Sequence, residues 1–265
     1  MTPLKQLLAA TDLSGPSLKA VDRALSLAAG HGAHCTVVHA LGVDALQPLR
    51  ELLGAKVADL TQAAEARQSQ ALNAALSGLA ARHGVAPDVR IERGFATEAI
   101  PACADAVGAD LVVVGAHGQG FVQRVLVGST SSALLRKSRQ PVLVVKRSVH
   151  QSYRRILIPV IAQYRVEARQ RALGQLHALA TACDLRPTDY TGLVLHGSAS
   201  RQILSQARHF GCDLIAIGKH GTHVTEELLL GSVTKRILAE ASSDVLVVLD
   251  PRHPASGLPS EADGR

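Results

Sequence analysis

At 265 residues the chain is long enough for one large domain or two small ones. With 47% hydrophobic and 19% charged residues it can bury sizeable cores, and it lacks the depletion that marks disorder. A net charge of +6 favours anionic ligands, but the basic residues fall in short scattered groups such as Arg136, Lys137 and Arg139, the pattern of a solvated surface. Aromatic residues make up only 2% with no Trp, so the core is expected to be aliphatic, and a base-stacking, nucleic-acid-specific function is not expected. The four cysteines, Cys35, Cys103, Cys183 and Cys212, stand apart with no zinc or redox spacing, which fits a reducing compartment. No apolar run approaches bilayer length, so the expectation is a cytoplasmic protein with no membrane partner.

Short apolar runs rich in β-branched residues alternate with longer Ala/Leu segments of helical period. In chain order the first half reads strand Leu4–Ala10, helix Ser17–Gly30, strand Cys35–Leu41, helix Val57–His83, strand Val89–Arg93, helix Glu98–Val107, strand Leu111–Gly115, helix Ser129–Ser138 and strand Val142–Lys146. The second half reads strand Arg155–Val160, helix Val166–Cys183, strand Gly192–His196, helix Arg201–Phe210, strand Leu214–Gly218, helix Ser232–Ala241 and strand Val245–Leu249. This alternation predicts an α/β fold made of two doubly wound parallel-sheet domains, the first with five strands and the second with about four. The expected boundaries are a complete domain over 1–148, a truncated one over 152–250, and a proline-bearing flexible tail over 251–265.

The two halves are an internal repeat. Residues 103 positions apart correspond: Gly94 with Gly197, Gly108 with Gly211, Asp110 with Asp213, Gly115 with Gly218, His117 with His220, Gly128 with Gly231, and Val142–Val145 with Val245–Val248. Upstream the offset becomes 149, since Leu7 aligns with Ile156, so the second copy is 46 residues shorter. The missing piece corresponds to the first helix, the second strand and the loop after it.

Each copy carries one glycine spacing, Gly115-x2-Gly118-x9-Gly128-Ser129 and Gly218-x2-Gly221-x9-Gly231-Ser232. Each spacing starts where a buried strand ends and finishes where a helix begins, the usual ligand position of a doubly wound sheet. Glycine there is expected to permit positive φ and close approach of an anion, and Gly128-Ser129 and Gly231-Ser232 are expected to present free N–H groups at a capped helix start. The loop is neither a Walker A motif nor a dinucleotide fingerprint.

Those loops, with the closing strand Pro141–Val145, resemble the ATP-binding branch of the universal stress protein family. The resemblance implies an adenine nucleotide alpha hydrolase-like sheet ordered 3-2-1-4-5 and ATP, ADP or AMP, with or without Mg2+, between the first strand and the glycine loop. It implies pairing of Val142–Val145 with Val245–Val248 as an intramolecular pseudo-dimer, and a homodimer of the tandem chain is a further expectation. The expected nucleotide-binding residues are Thr11, Asp12, Ala40, Gly115, His117, Gly118, Gly128, Ser129 and Thr130, with Gly218, Gly221, Gly231, Ser232 and Val233 in the second copy. Asp12 would lie near the ribose, with helix capping as its alternative role. Ala40 would meet the adenine edge through its backbone. His39 is expected to pack in the core, and His117 and His220 to order their loops. Ile161 stands where Asp12 stands in the first copy, so the second site is expected to be degraded or phosphate-only. No catalytic or metal-binding residue is assigned. The expected function is an ATP-binding regulator of the stress response, against two alternatives: a slow ATPase or phosphoryl-transfer enzyme, and a nucleotide-free protein-interaction scaffold.

Overall fold

The computed structural model describes residues 3–42, 55–116, 128–148, 152–160, 169–219 and 230–249. Its first half runs β1 (Gln6–Ala10), α1 (Gly15–His31), β2 (His34–Leu41), α2 (Ala55–His83), β3 (Asp88–Arg93), α3 (Ala96–Ala106), β4 (Leu111–Gly115), α4 (Ser129–Lys137) and β5 (Val142–Val145). The second runs β6 (Ile156–Leu157), α5 (Arg169–Ala182), α6 (Ala199–His209), β7 (Leu214–Gly218), α7 (Ser232–Glu240) and β8 (Asp244–Val248). All eight strands form one sheet in the order β3-β2-β1-β4-β5-β8-β7-β6. Every neighbouring pair is parallel except β5 and β8, which run antiparallel with Val142 opposite Val247, Leu143 opposite Leu246 and Val144 opposite Val245. The expected contact between the two valine-rich strands is present as this pairing.

Strand periodicity sorts the aliphatic core into two layers. Leu8, Val112, Val114, Val142 and Val144 face one layer, which continues through Ile215, Val245 and Val247 of the second half and is covered by α3, α4, α6 and α7. Leu7, Ala9, Val113, Leu143 and Val145 face the other, covered by α1 through Val21 and Leu25 and by α2 through Leu72 and Leu76. Strands buried on both faces have no polar alternation, which is why β4 and β5 read as continuous apolar runs.

Several repeated residues have repeated backbone duties. Gly94 and Gly197 adopt φ of 111° and 108°, and Gly108 and Gly211 adopt 61° and 58°, conformations that favour glycine. Asp110 accepts hydrogen bonds from the N–H groups of Lys5 and Gln6, and Asp213 from those of Arg154 and Arg155, so each aspartate fixes the entry of its copy's first strand.

The second half departs from expectation. Among the described residues it contributes three strands rather than about four, because 192–196, expected as a strand, forms no ladder. Its counterpart β3 bonds only to β2, and the second copy lacks that strand, so 192–196 has no neighbour to pair with. The strand expected over Arg155–Val160 shortens to Ile156–Leu157 for the same reason: β7 lies on one side and nothing in this sheet lies on the other.

A buried polar cluster locks the junction. Asp244 has no exposed surface, and its Oδ1 accepts from the N–H groups of Lys146 and Arg147 at 2.8 and 3.0 Å. Its Oδ2 accepts from the Tyr153 hydroxyl at 2.6 Å, with Arg23 Nε at 3.6 Å and the Arg23 guanidinium 4.3 Å from the Tyr153 ring centre. Removing this carboxylate strands several buried donors, so Asp244→Ala is expected to lower the unfolding free energy by about 3 to 5 kcal/mol in urea titration. Burial pushes the Lys146 ammonium down to about 8, opposed by the Asp244 carboxylate. The unfolded chain keeps that proton up to the ordinary 10.5, so it binds more protons between about pH 8 and 10.5, and this group's contribution to stability rises across that window. Burial and Asp244 hold the Tyr153 hydroxyl above its ordinary value of 10.0, which acts in the opposite sense above that pH. Lys146→Met is expected to abolish the rise when unfolding free energy is measured against pH.

Candidate functional site

β1 sits where the strand order reverses, between β2 and β4, and the crevice past its C-terminal end is the switch point of the first half. The register sets the residues there in rows. Ala10 lies opposite Val38, and Ala9 lies opposite Val113. Continued outward, the same register aligns Thr11 with His39 and Gly115, and Asp12 with Ala40 and Ala116. Four of the expected residues, Thr11, Asp12, Ala40 and Gly115, are thereby brought together at the ends of three adjacent strands.

The turn from β1 into α1 is cross-braced by hydroxyls. Thr11 Oγ1 accepts from the Leu13 N–H at 3.0 Å and lies 3.0 Å from Ser17 Oγ, which accepts from the Asp12 N–H at 3.2 Å. Asp12 Oδ1 accepts from the Ser14 N–H at 3.0 Å, and the N-cap of α1 is Ser14, whose side chain accepts from Ser17 N–H. Asp12 therefore shapes the turn before the cap without being the cap. The turn also carries Leu13 at φ 63°, a left-handed conformation uncommon for leucine. His39 is buried, and its Nδ1–H donates to the Thr11 carbonyl at 2.8 Å, which gives it the core role expected for it.

Glycine 115 has a different reason from the expected one. It has no positive φ, and a Cβ built on it would lie 2.9 Å from the Pro16 carbonyl oxygen and 3.1 Å from Ser17 N. The start of α1 packs directly on the end of β4, and only glycine leaves room for it. Gly128 and Gly231 also need correction. Their N–H groups donate to the Ala116 and Lys219 carbonyls at 2.9 and 3.0 Å, so neither amide is open to an anion. They are the N-cap residues of α4 and α7, with φ of −56° and no side-chain cap bond, so Ser129 and Ser232 follow the cap as first-turn residues.

The first-turn amides of Ser129 and Thr130, and those of Ser232 and Val233, have no intrahelical carbonyl four residues earlier. Two hydroxyls that sequence reasoning missed hold these turns in place. Ser131 Oγ donates to the Gly115 carbonyl at 2.8 Å, and Thr234 Oγ1 donates to the Gly218 carbonyl at 2.9 Å. They are 103 residues apart, so the repeat itself carried the signal. His117, Gly118 and Gly221 lie outside the described residues, as does His220. In the second half, the β6 register continued outward sets Val160 level with Gly218, and Val160 is exposed and offers no hydroxyl. Among the described residues no three His, Cys, Asp or Glu side chains gather as a metal site would require, and no helix is long and apolar enough to cross a membrane.

The fold defines a tandem doubly wound α/β protein whose two halves share one sheet. The sequence model of the universal stress protein family matches residues 3–146 and again 152–248, and the chain belongs to that family. It is 28% identical over 183 residues to a universal stress protein of Mycolicibacterium smegmatis, a match covering 53% of this chain and 62% of the relative. It is 30% identical over 142 residues to one from Thermus aquaticus, covering 54% of this chain and 98% of that protein. The chain spans under two thirds of the length of several curated relatives that it matches. The crystal structure of a universal stress protein from Archaeoglobus fulgidus superposes with a TM-score of 0.63 over 92% of this chain and 98% of that one, at 15% identity, which bears on the fold alone.

The contact at Gly115 yields a direct test. Gly115→Ala is expected to cost about 1 to 3 kcal/mol in urea unfolding, since the added methyl meets backbone that cannot step aside. Gly78→Ala, inside α2 with nothing within 4 Å, is expected to stabilise by about 0.5 to 1 kcal/mol.

Proposed function

We propose that the chain is a nucleotide-binding regulator of the stress response that holds an adenine nucleotide in its first half. The observation that carries this reading is the row of Thr11 and Gly115 at the switch point, with α4 tied to the same strand end by Ser131. That bond holds the first turn of α4, with the amides of Ser129 and Thr130, at the end of β4, where the helix dipole and N–H groups without an intrahelical partner favour phosphate. Asp12, one row further out, supplies a carboxylate suited to accept from ribose hydroxyls, and the Ala40 backbone borders the adenine side. His117 and Gly118 complete the loop in this reading, and a triphosphate would bring Mg2+ with it from solution.

The second half keeps only part of this arrangement. Gly218, Gly221, Gly231, Ser232 and Val233 repeat the loop spacing, but the Thr11 position is Val160 and the strand that would border adenine is missing. It is therefore a phosphate-only or degraded site. The domains are 1–148 and 152–250, and the four free cysteines suit a reducing cytoplasm.

Calorimetric titration with ATP tests the assignment. Ser129→Asp puts a carboxylate into the first turn of α4, where the helix dipole welcomes it but a phosphate would be repelled. It is expected to weaken ATP binding by tenfold or more, on the order of 1.4 kcal/mol, with Asp12→Ala lowering affinity in the same direction. Ser232→Asp is expected to leave the tight site intact. The reverse pattern, with binding lost in Ser232→Asp and kept in Ser129→Asp and Asp12→Ala, would move the nucleotide to the second half.

A further inference from the structure

Two lysines cross the junction in opposite directions. Lys219, the first residue after β7, is buried and its ammonium donates to the Arg136 carbonyl at 2.6 Å, in the last turn of α4 in the other half. Lys146, the first residue after β5, donates to the Leu238 and Ala241 carbonyls at 2.6 and 2.7 Å, at the C-terminal end of α7. The reason is directional. Because β5 and β8 are antiparallel, the strands of one half end where the helices α4 or α7 of the other half finish. A long cation leaving a strand end therefore meets carbonyls at the far helix's negative end, where it is favoured.

The lysines also sit at the bases of the two glycine loops. Ala116 N–H donates to the Val145 carbonyl, immediately before Lys146, and the Ala116 carbonyl accepts from Gly128, the N-cap of α4. Lys219 N–H donates to the Val248 carbonyl, and the Lys219 carbonyl accepts from Gly231, the N-cap of α7. Each loop base is thus bonded to the start of its own helix and, through a lysine, to the end of the other half's helix. The positions are not copies of one another: Lys219 corresponds to Ala116, and Lys146 to Leu249. The repeat alone does not account for the exchange.

We propose that Lys146 and Lys219 are positioning residues that couple the two halves, each anchoring the last turn of the helix that starts beside the other half's strand end. α4 has only nine residues, a rod of about 13 Å, so fixing its last turn fixes the aim of its first. A ligand held at the first turn of one helix then bears on the strand end from which the other half's helix is held, and the influence is reciprocal. This coupling rests on the nucleotide reading for its ligand, but its mechanical part does not.

The test is hydrogen–deuterium exchange of the full chain, read by mass spectrometry, with ATP titration alongside. Lys219→Met is expected to speed exchange in the second half of α4 by about tenfold and leave α7 at the wild-type rate, and Lys146→Met to do the reverse. ATP affinity is expected to fall by about threefold to tenfold in Lys219→Met and to recover in Lys219→Arg, which keeps the cation. Equal loosening of both helices, loosening of only the helix in the substituted residue's own half, or no change would overturn the proposal. If the wild type binds no ATP, the nucleotide reading fails while the exchange pattern still decides the coupling. Should a methionine variant not fold, the wild type alone suffices: saturating ATP is expected to slow exchange in the last turn of α4 and at Gly218 and Lys219, and protection confined to the first half would count against it.

Discussion

The antiparallel joint between β5 and β8 is the constraint on which the rest depends. Two short strands of valine and leucine, each an exposed edge of its own half, satisfy one another's main-chain groups and merge two parallel sheets into one. The joint buries an aspartate at the start of β8, and that charge is tolerable because main-chain N–H groups, a tyrosine hydroxyl and an arginine surround it. Reversed strand direction also turns the two halves head to tail, so the residues flanking their glycine loops, Ala116 with Gly128 and Lys219 with Gly231, lie at opposite ends of the sheet. The same reversal lets one half's loop base reach the other half's helix end.

Much of this architecture is legible in the sequence because it is carried by local pattern. The short apolar runs that give β1, β2, β4, β5, β7 and β8 announce themselves, and the offset of 103 pairs glycines that prove to share positive φ. The repeat marks Gly115 at a strand end, the family resemblance supplies Thr11 and Asp12, and register then aligns the three. What the pattern misjudges is reason and partner. Gly115 looks like a phosphate-loop glycine, and its backbone neighbour Pro16 is 99 residues away in the chain, so the packing requirement is invisible without coordinates. The stretch 192–196 has the composition of a strand, but strand formation needs a neighbour and the sequence lacks one. Nothing in the local sequence marks Asp244, Lys146 or Lys219, because the groups that hold them come largely from the other half.

The two halves use one plan to different ends. The first keeps every strand around its switch point, and its β1–α1 turn is braced by Thr11, Ser14 and Ser17, side chains that hold a short segment rigid beside a crevice. The second retains the loop spacing, the Thr234 tether and the closing strand, but among the described residues it has no strand where β2 stands in the first.

The measurement that bears most directly on the central claim is native mass spectrometry of the purified full chain, followed by denaturation and identification of whatever is released. The account predicts one adenine nucleotide per chain as the dominant complex, with any second occupancy weaker. A chain that carries no nucleotide as isolated and takes none up from added ATP would contradict it.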